Sequence, residues 1–143
     1  VAGCTGATSE ATVQRLYDLP DYAMLDMGDF AGGMLKYLAK HPVQRVTVGG
    51  GIGKITKLAQ GAIDLHSGRS QVDFAALAEM VGMPDIAQAN TALEAYQVAG
   101  APLANHVAQA ALAQLNARFG DAGIAYDVVI IDRAGNIIAQ AGT

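Results

Sequence analysis

The chain has 143 residues, 52% of them hydrophobic and 15% charged, with a formal net charge of −4. That length and composition fit one packed domain with its own core and exclude a disordered segment. The negative charge argues against nonspecific nucleic-acid binding, and no apolar run reaches the roughly 18–20 residues that cross a bilayer.

The chain opens on Val1 rather than Met, and VAGCTG reads as a strand end running into a loop. A longer protein is therefore expected, with a cytoplasmic location as the default. The single cysteine, Cys4, rules out an internal disulfide framework. His41, His66 and His106 stand too far apart for metal-ligand spacing, so no metal is expected. Charge is uneven: residues 1–70 carry seven basic and six acidic groups, and the remainder carries two basic and seven acidic groups. The balances are +1 and −5, so an anionic small molecule is expected to meet the first half.

Three times in the first 60 residues an apolar stretch runs into a glycine-bearing loop and then an amphipathic segment: VAGCTGATSEATVQRL, YAMLDMGDFAGGMLKYL and VTVGGGIGKITKLAQG. This is the pattern of successive βα units. In the first, Thr8 or Ser9 can cap a helix that buries Val13, Leu16 and Tyr17 and stops before Pro20. In the second, Met34, Leu35 and Leu38 form the apolar stripe, with His41 and Pro42 closing the helix. In the third, Ile55, Leu58 and Ala59 face the core, while Lys54 and Lys57, three residues apart, share one side.

Beyond Gly61, DLHSGRS reads as a loop, and Ser70 with Asp73 fits a capping box before FAALAEM. One helix is expected over residues 85–98, and another from Pro102 to the stop at Gly120. The ending AYDVVIIDRAGNIIAQAG reads as a β-hairpin, with a strand over residues 126–131, a turn at DRAGN and a short strand over residues 137–139. The near-continuous apolar run VVII suits a strand covered on both faces. The expected fold class is α/β: a layered domain with a mainly parallel sheet built from βα units plus a C-terminal β-hairpin.

Ligands of open α/β sheets bind at the carboxyl ends of the strands. The expected functional edge is therefore Cys4 to Ser9, Asp26 to Gly33 and Gly49 to Lys54. A phosphate loop of the form G-x-x-x-x-G-K-[ST] fails here, because Val48 stands at the first glycine and Ile55 at the hydroxyl position. The dinucleotide pattern G-x-G-x-x-G fails at Thr56. LDMGDFAGG is similar to the Asp-x-Gly-x-Gly start of many methyltransferases, with Phe30 in place of the second glycine. A hydrolase triad from Asp64, His66 and Ser67 lacks its G-x-S-x-G elbow. Glycines 49–53 can equally serve tight strand-to-helix turns, Asp26 and Asp29 can be helix caps, and Lys54 and Lys57 can be solvated.

Taken together, VAGCTGATSEA, LDMGDFAGGMLKYLAKHP and above all GGGIGKITKLAQGAIDLHSGRSQVD resemble the CbiD family, the corrin-precursor C1-methyltransferases of cobalamin biosynthesis. The resemblance extends through VVIIDRAGNIIAQAG and covers nearly the whole chain. It implies that residues 1–143 are the carboxyl-terminal α/β domain of a longer methyltransferase whose amino-terminal half is a partner. It also implies S-adenosyl-L-methionine as methyl donor and an anionic, cobalt-containing tetrapyrrole as substrate, the metal belonging to the substrate.

On residue chemistry, Gly28, Asp26, Asp29, Gly49, Gly50 and Gly51 are then candidates for the cofactor, the aspartates for its ribose hydroxyls. Lys54, Lys57, Arg69 and Ser67 are candidates for substrate carboxylates. His66, with Asp64, is the candidate for removing a proton. A noncatalytic phosphate- or nucleotide-binding module is the alternative reading. Neither reading involves nucleic acid or a membrane, and the sequence sets no oligomeric state.

Overall fold

The computed structural model describes residues 1–142. A five-stranded sheet has the order β2-β1-β3-β4-β5. Its strands are β1 (Ala2–Cys4), β2 (Met24–Leu25), β3 (Arg45–Gly51), β4 (Ala125–Ile131) and β5 (Ile137–Gly142). The first four are mutually parallel, and β5 returns antiparallel to β4. Among the described residues six α-helices accompany them: α1 (Ala7–Tyr17), α2 (Ala31–Lys40), α3 (Ile52–Ala59), α4 (Phe74–Val81), α5 (Ala92–Ala99) and α6 (Ala101–Phe119). The three βα units and the terminal hairpin of the sequence reading are all present, and β5 runs three residues longer than expected.

Alternation along β4 divides the core. Val128 and Ile130 face a large cluster that takes Leu35 and Leu38 of α2, Ile55 and Leu58 of α3, and Leu103, Val107, Ala111 and Leu115 of α6. Val129 and Ile131 face a smaller cluster with Ala2, Cys4 and Val13 of α1. Strand β4, an inner strand of the sheet, is thus covered on both faces, as VVII implied. Buried alanines at 104, 108 and 111 let α6 lie close against β4, β5 and α3. Among the described residues no helix is long and apolar enough to cross a membrane.

Several local expectations are corrected. Gly49, Gly50 and Gly51 are not a loop; they continue β3 and pair with Val129, Ile130 and Ile131. The cap of α1 is Gly6, and Ser9 works from inside the helix: its hydroxyl accepts from the Gly6 N–H (3.2 Å) and donates to the Gly6 carbonyl (3.0 Å). Leu16 and Tyr17 stay 38% and 39% exposed, because only Val13 of that stripe reaches the sheet. Asp73, not Ser70, caps α4, accepting from the Ala76 N–H at 3.0 Å.

The helix expected over residues 85–98 is divided into a 3-10 turn (Pro84–Gln88) and α5. The Thr91 hydroxyl accepts from the Glu94 N–H at 3.0 Å, and the Glu94 carboxylate accepts from the Asn90 N–H at 3.1 Å. These bonds nucleate a new helix where the periodicity suggested continuation.

Candidate functional site

Strands β1 and β3 are neighbours, yet the chain leaves β1 toward β2 on one side and β3 toward β4 on the other. Their following helices pack on opposite faces of the sheet, α1 on the smaller cluster and α3 on the larger. Such a switch in direction opens a crevice at the carboxyl ends of the two strands, where ligands of open α/β sheets bind.

A cavity of about 660 Å³ occupies that crevice. Clefts of roughly 300–1,000 Å³ bury most of a drug-sized ligand. One wall is the start of α1, from Thr5 to Ser9, and another is the start of α3, from Gly51 to Lys54. A third comes from Thr91, Ala92, Leu93 and Tyr96 of α5, and the hairpin turn adds Asp132 and Arg133. The N-termini of three helices thus border one space, and unpaired helix N–H groups favour negative charge.

The glycines separate into two kinds. A Cβ on Gly49 would lie 2.7 Å from a Val13 methyl, and one on Gly50 would lie 2.8 Å from the Thr5 hydroxyl, so both are required by packing inside the sheet. Gly28 has φ +57° in an exposed turn, so its backbone alone accounts for it. Gly6, Gly51 and Gly53 need neither positive φ nor close packing, since a Cβ on any of them would meet nothing within 4 Å. All three line the cavity. Their missing side chains leave bare backbone for a ligand to approach.

Lys54 and Lys57 both line the cavity. Each donates from Nζ to the same acceptor, the Leu65 carbonyl, at 3.1 Å. Leu65 is fully buried, and its own N–H donates to the Asp29 carbonyl at 2.8 Å. Asp29 also pairs with Lys54 at 3.2 Å. Sharing one oxygen keeps the two ammonium groups within about 6 Å, where the repulsion at an effective dielectric of about 20 is on the order of 3 kcal/mol before screening. Lys57 is only 8% exposed. Burial lowers its pKa below the usual lysine value, Lys54 lowers it further, and Asp29 partly opposes both.

The other residues singled out from the sequence lie around this core of the site. Ser67 reaches the cavity wall. His66 is exposed; its Nδ1 accepts from the Gly68 N–H at 3.0 Å, and its backbone N–H donates to the Asp64 carboxylate at 3.2 Å. Arg69 pairs with Asp64 at 3.5 Å. Asp64, His66 and Arg69 therefore tie together a turn beside the cavity and do not border it. Asp26 and Gly28 lie in the exposed turn after β2, also outside the cavity wall. Among the described residues no cluster of His, Cys, Asp and Glu could hold a metal.

The sequence reading missed Leu65 and the α5 wall, and it set Gly6 on the expected functional edge without naming it for the ligand. Thr91-x-x-Glu94 is a capping-box signature that would have announced α5, and Leu65 is the lone apolar residue in a polar run. Asp132 lines the cavity, but bonds from the Asn136 and Ala134 N–H groups occupy its carboxylate and hold its pKa below the usual range. At the opposite end of the sheet, the buried Asp127 accepts from Arg45 at 2.6 and 2.7 Å and from Thr47 at 3.3 Å, a structural pair remote from the crevice.

The fold and the site define a doubly wound α/β domain with a cavity at its change of strand order, walled by bare glycine backbone and an excess of positive charge. Residues 64–142 match the model of the CbiD C-terminal domain, and this chain belongs to the CbiD family. It is 49% identical over 151 residues to a protein of Brucella anthropi named cobalt-precorrin-5B C(1)-methyltransferase, an alignment covering 98% of this chain and 41% of that protein. A protein of the same name from Methylorubrum extorquens is 50% identical over 152 residues, covering 98% and 42%. The chain spans about two-fifths of the length of these relatives. No solved structure matches it.

Proposed function

We propose that the chain is the carboxyl-terminal α/β domain of a methyltransferase that transfers a methyl group from S-adenosyl-L-methionine to C1 of cobalt-precorrin-5B in cobalamin biosynthesis. The observation that carries this reading is identity near 50%, over 98% of the chain, to proteins named for that reaction. The remaining length of such a protein is the chain's first partner, and a cytoplasmic setting suits a biosynthetic enzyme.

The residues present fit a nucleoside-sized ligand that carries a carboxylate. Gly6, Gly51 and Gly53 leave space that any Cβ would fill, and Lys54 and Lys57 offer charge for a carboxylate. When bound, the donor supplies a sulfonium methyl group open to attack by a ring carbon, so no side chain has to act as nucleophile. The work left to this chain is binding and orientation. The glycine wall admits the ligand against the backbone, the α5 wall of Leu93 and Tyr96 excludes water, and the lysines fix a carboxylate. Asp29 is paired with Lys54, and His66 and Asp64 stand on the adjoining turn, where His66 is a base for a ring proton only if the substrate extends beyond the cavity.

Calorimetric titration of the full-length protein with S-adenosylhomocysteine, ATP and NAD tests the reading. Preferential binding of S-adenosylhomocysteine is expected. A preference for ATP would instead identify a nucleotide-binding module.

A further inference from the structure

Two cations held on one neutral oxygen are an arrangement that the fold alone does not need. A lysine that only covers a helix end keeps its ammonium in water. Here Lys57 is drawn in until it is 8% exposed, beside a second ammonium, and the shared partner is a carbonyl that cancels neither charge. Among the described residues Asp29 is the one carboxylate paired with the two, and it reaches Lys54. The other charges nearby are committed elsewhere or stand apart: Asp132 to its turn, Asp64 to Arg69, and Arg133 exposed at the rim. The cavity wall is therefore left with one positive charge in excess at this point, on groups whose common acceptor, Leu65, is fixed by burial and by its bond to Asp29.

We propose that Lys54 and Lys57 form a docking point for a single ligand carboxylate, and that Asp29 is a resident counter-ion which this carboxylate displaces from Lys54. The proposal reverses the role for Asp29 suggested by sequence: it competes with the ligand and does not hold its ribose. It rests on the reading of the cavity as a methyltransferase ligand site. Two sources supply the same chemistry, the amino-acid end of the methyl donor and the rim of the tetrapyrrole.

The test uses three probes on the full-length protein, with affinity read by calorimetry at fixed ionic strength. They are S-adenosylhomocysteine, 5′-methylthioadenosine, which is the same thionucleoside without the amino-acid tail that bears the carboxylate, and uroporphyrin I, a tetrapyrrole octacarboxylate. Lys57→Met should weaken one carboxylate probe roughly tenfold or more and leave 5′-methylthioadenosine unchanged. Which probe weakens assigns the source. Lys54→Gln should do the same without disturbing a buried position, and Lys57→Arg should restore part of the loss. Asp29→Asn should tighten that same probe, whereas weakening would show that Asp29 is itself a ligand contact and overturn its role. Unchanged affinity for both carboxylate probes in Lys57→Met and Lys54→Gln, with native melting curves, would overturn the docking point while leaving the methyltransferase reading intact. Lysine-dependent binding of uroporphyrin by a protein that ignores S-adenosylhomocysteine would do the reverse.

Discussion

Four glycines in the stretch from Gly49 to Gly53 serve opposite purposes, and single substitutions can separate them. Gly49→Ala places a methyl group 2.7 Å from Val13 and 3.0 Å from the Cys4 sulfur. Overpacking of that kind costs about 1–3 kcal/mol, so the urea midpoint should fall with an unchanged slope. Gly53→Ala meets open space inside α3, and stability should hold or rise by up to ~1 kcal/mol. The same methyl group enters the cavity, so affinity for S-adenosylhomocysteine should drop. If Gly53→Ala bound it as well as the parent, the bare-backbone wall would have no role in binding.

Cys4 illustrates how the sheet acts on a single group. It is buried in the smaller cluster, and burial, reinforced by Glu10, pushes its thiol from 9.0 to about 11. The folded state holds this proton more tightly than the unfolded chain. The contribution is therefore complete below about pH 9 and lost as pH rises through 11. Stability should decline across that window by an amount on the order of 2–3 kcal/mol, and Cys4→Ala should flatten this part of the profile. Parallel urea titrations of the two proteins from pH 8 to 11 give the difference directly.

At the scale of elements, the joints between helices are the informative parts. Gln60, which ends α3, clamps the start of α4 through two bonds: its amide donates to the Asp73 carbonyl and accepts the Asp73 N–H, both at 2.8 Å. The Asp73 side chain then caps α4 at Ala76. Asp73→Ala should remove about 1 kcal/mol through the cap while the backbone clamp persists. Adding Gln60→Ala should weaken α4 further, visible as faster amide exchange confined to residues 74–81. Uniform acceleration across α6 as well would show that the clamp governs the whole domain.

At the scale of the molecule, the sheet crosses the boundary of the family match. Residues 64–142 contain β4 and β5, but β4 is central only because residues 45–51 pair with its other edge. Without residues 1–63 that edge is bare and α6 loses the α3 surface against which it packs. A fragment of residues 64–143 should bind a hydrophobic dye and melt without a cooperative transition, whereas the full chain should melt in one step. A sharp, dye-free transition in the fragment would mean that the matched segment is a domain by itself.

Much of this was already written in the order of the residues. The apolar-glycine-amphipathic repeat gives βα units, VVII gives a strand with two covered faces, and DRAGN gives the hairpin, because each depends on local periodicity and turn chemistry. The long run from Gly49 through Asp73 carries the family. What the sequence could not assign was the meaning of residues whose role is set by distant neighbours. Gly49 and Gly53 look alike until Val13 and Cys4 are seen packed against one and open cavity beside the other. Lys54 and Lys57 share a helix face by spacing, but only the buried Leu65 carbonyl turns them into a pair facing the cavity. Local patterns determined the elements; the crevice between β1 and β3, formed by a change of direction in strand order, decided which of them meet a ligand.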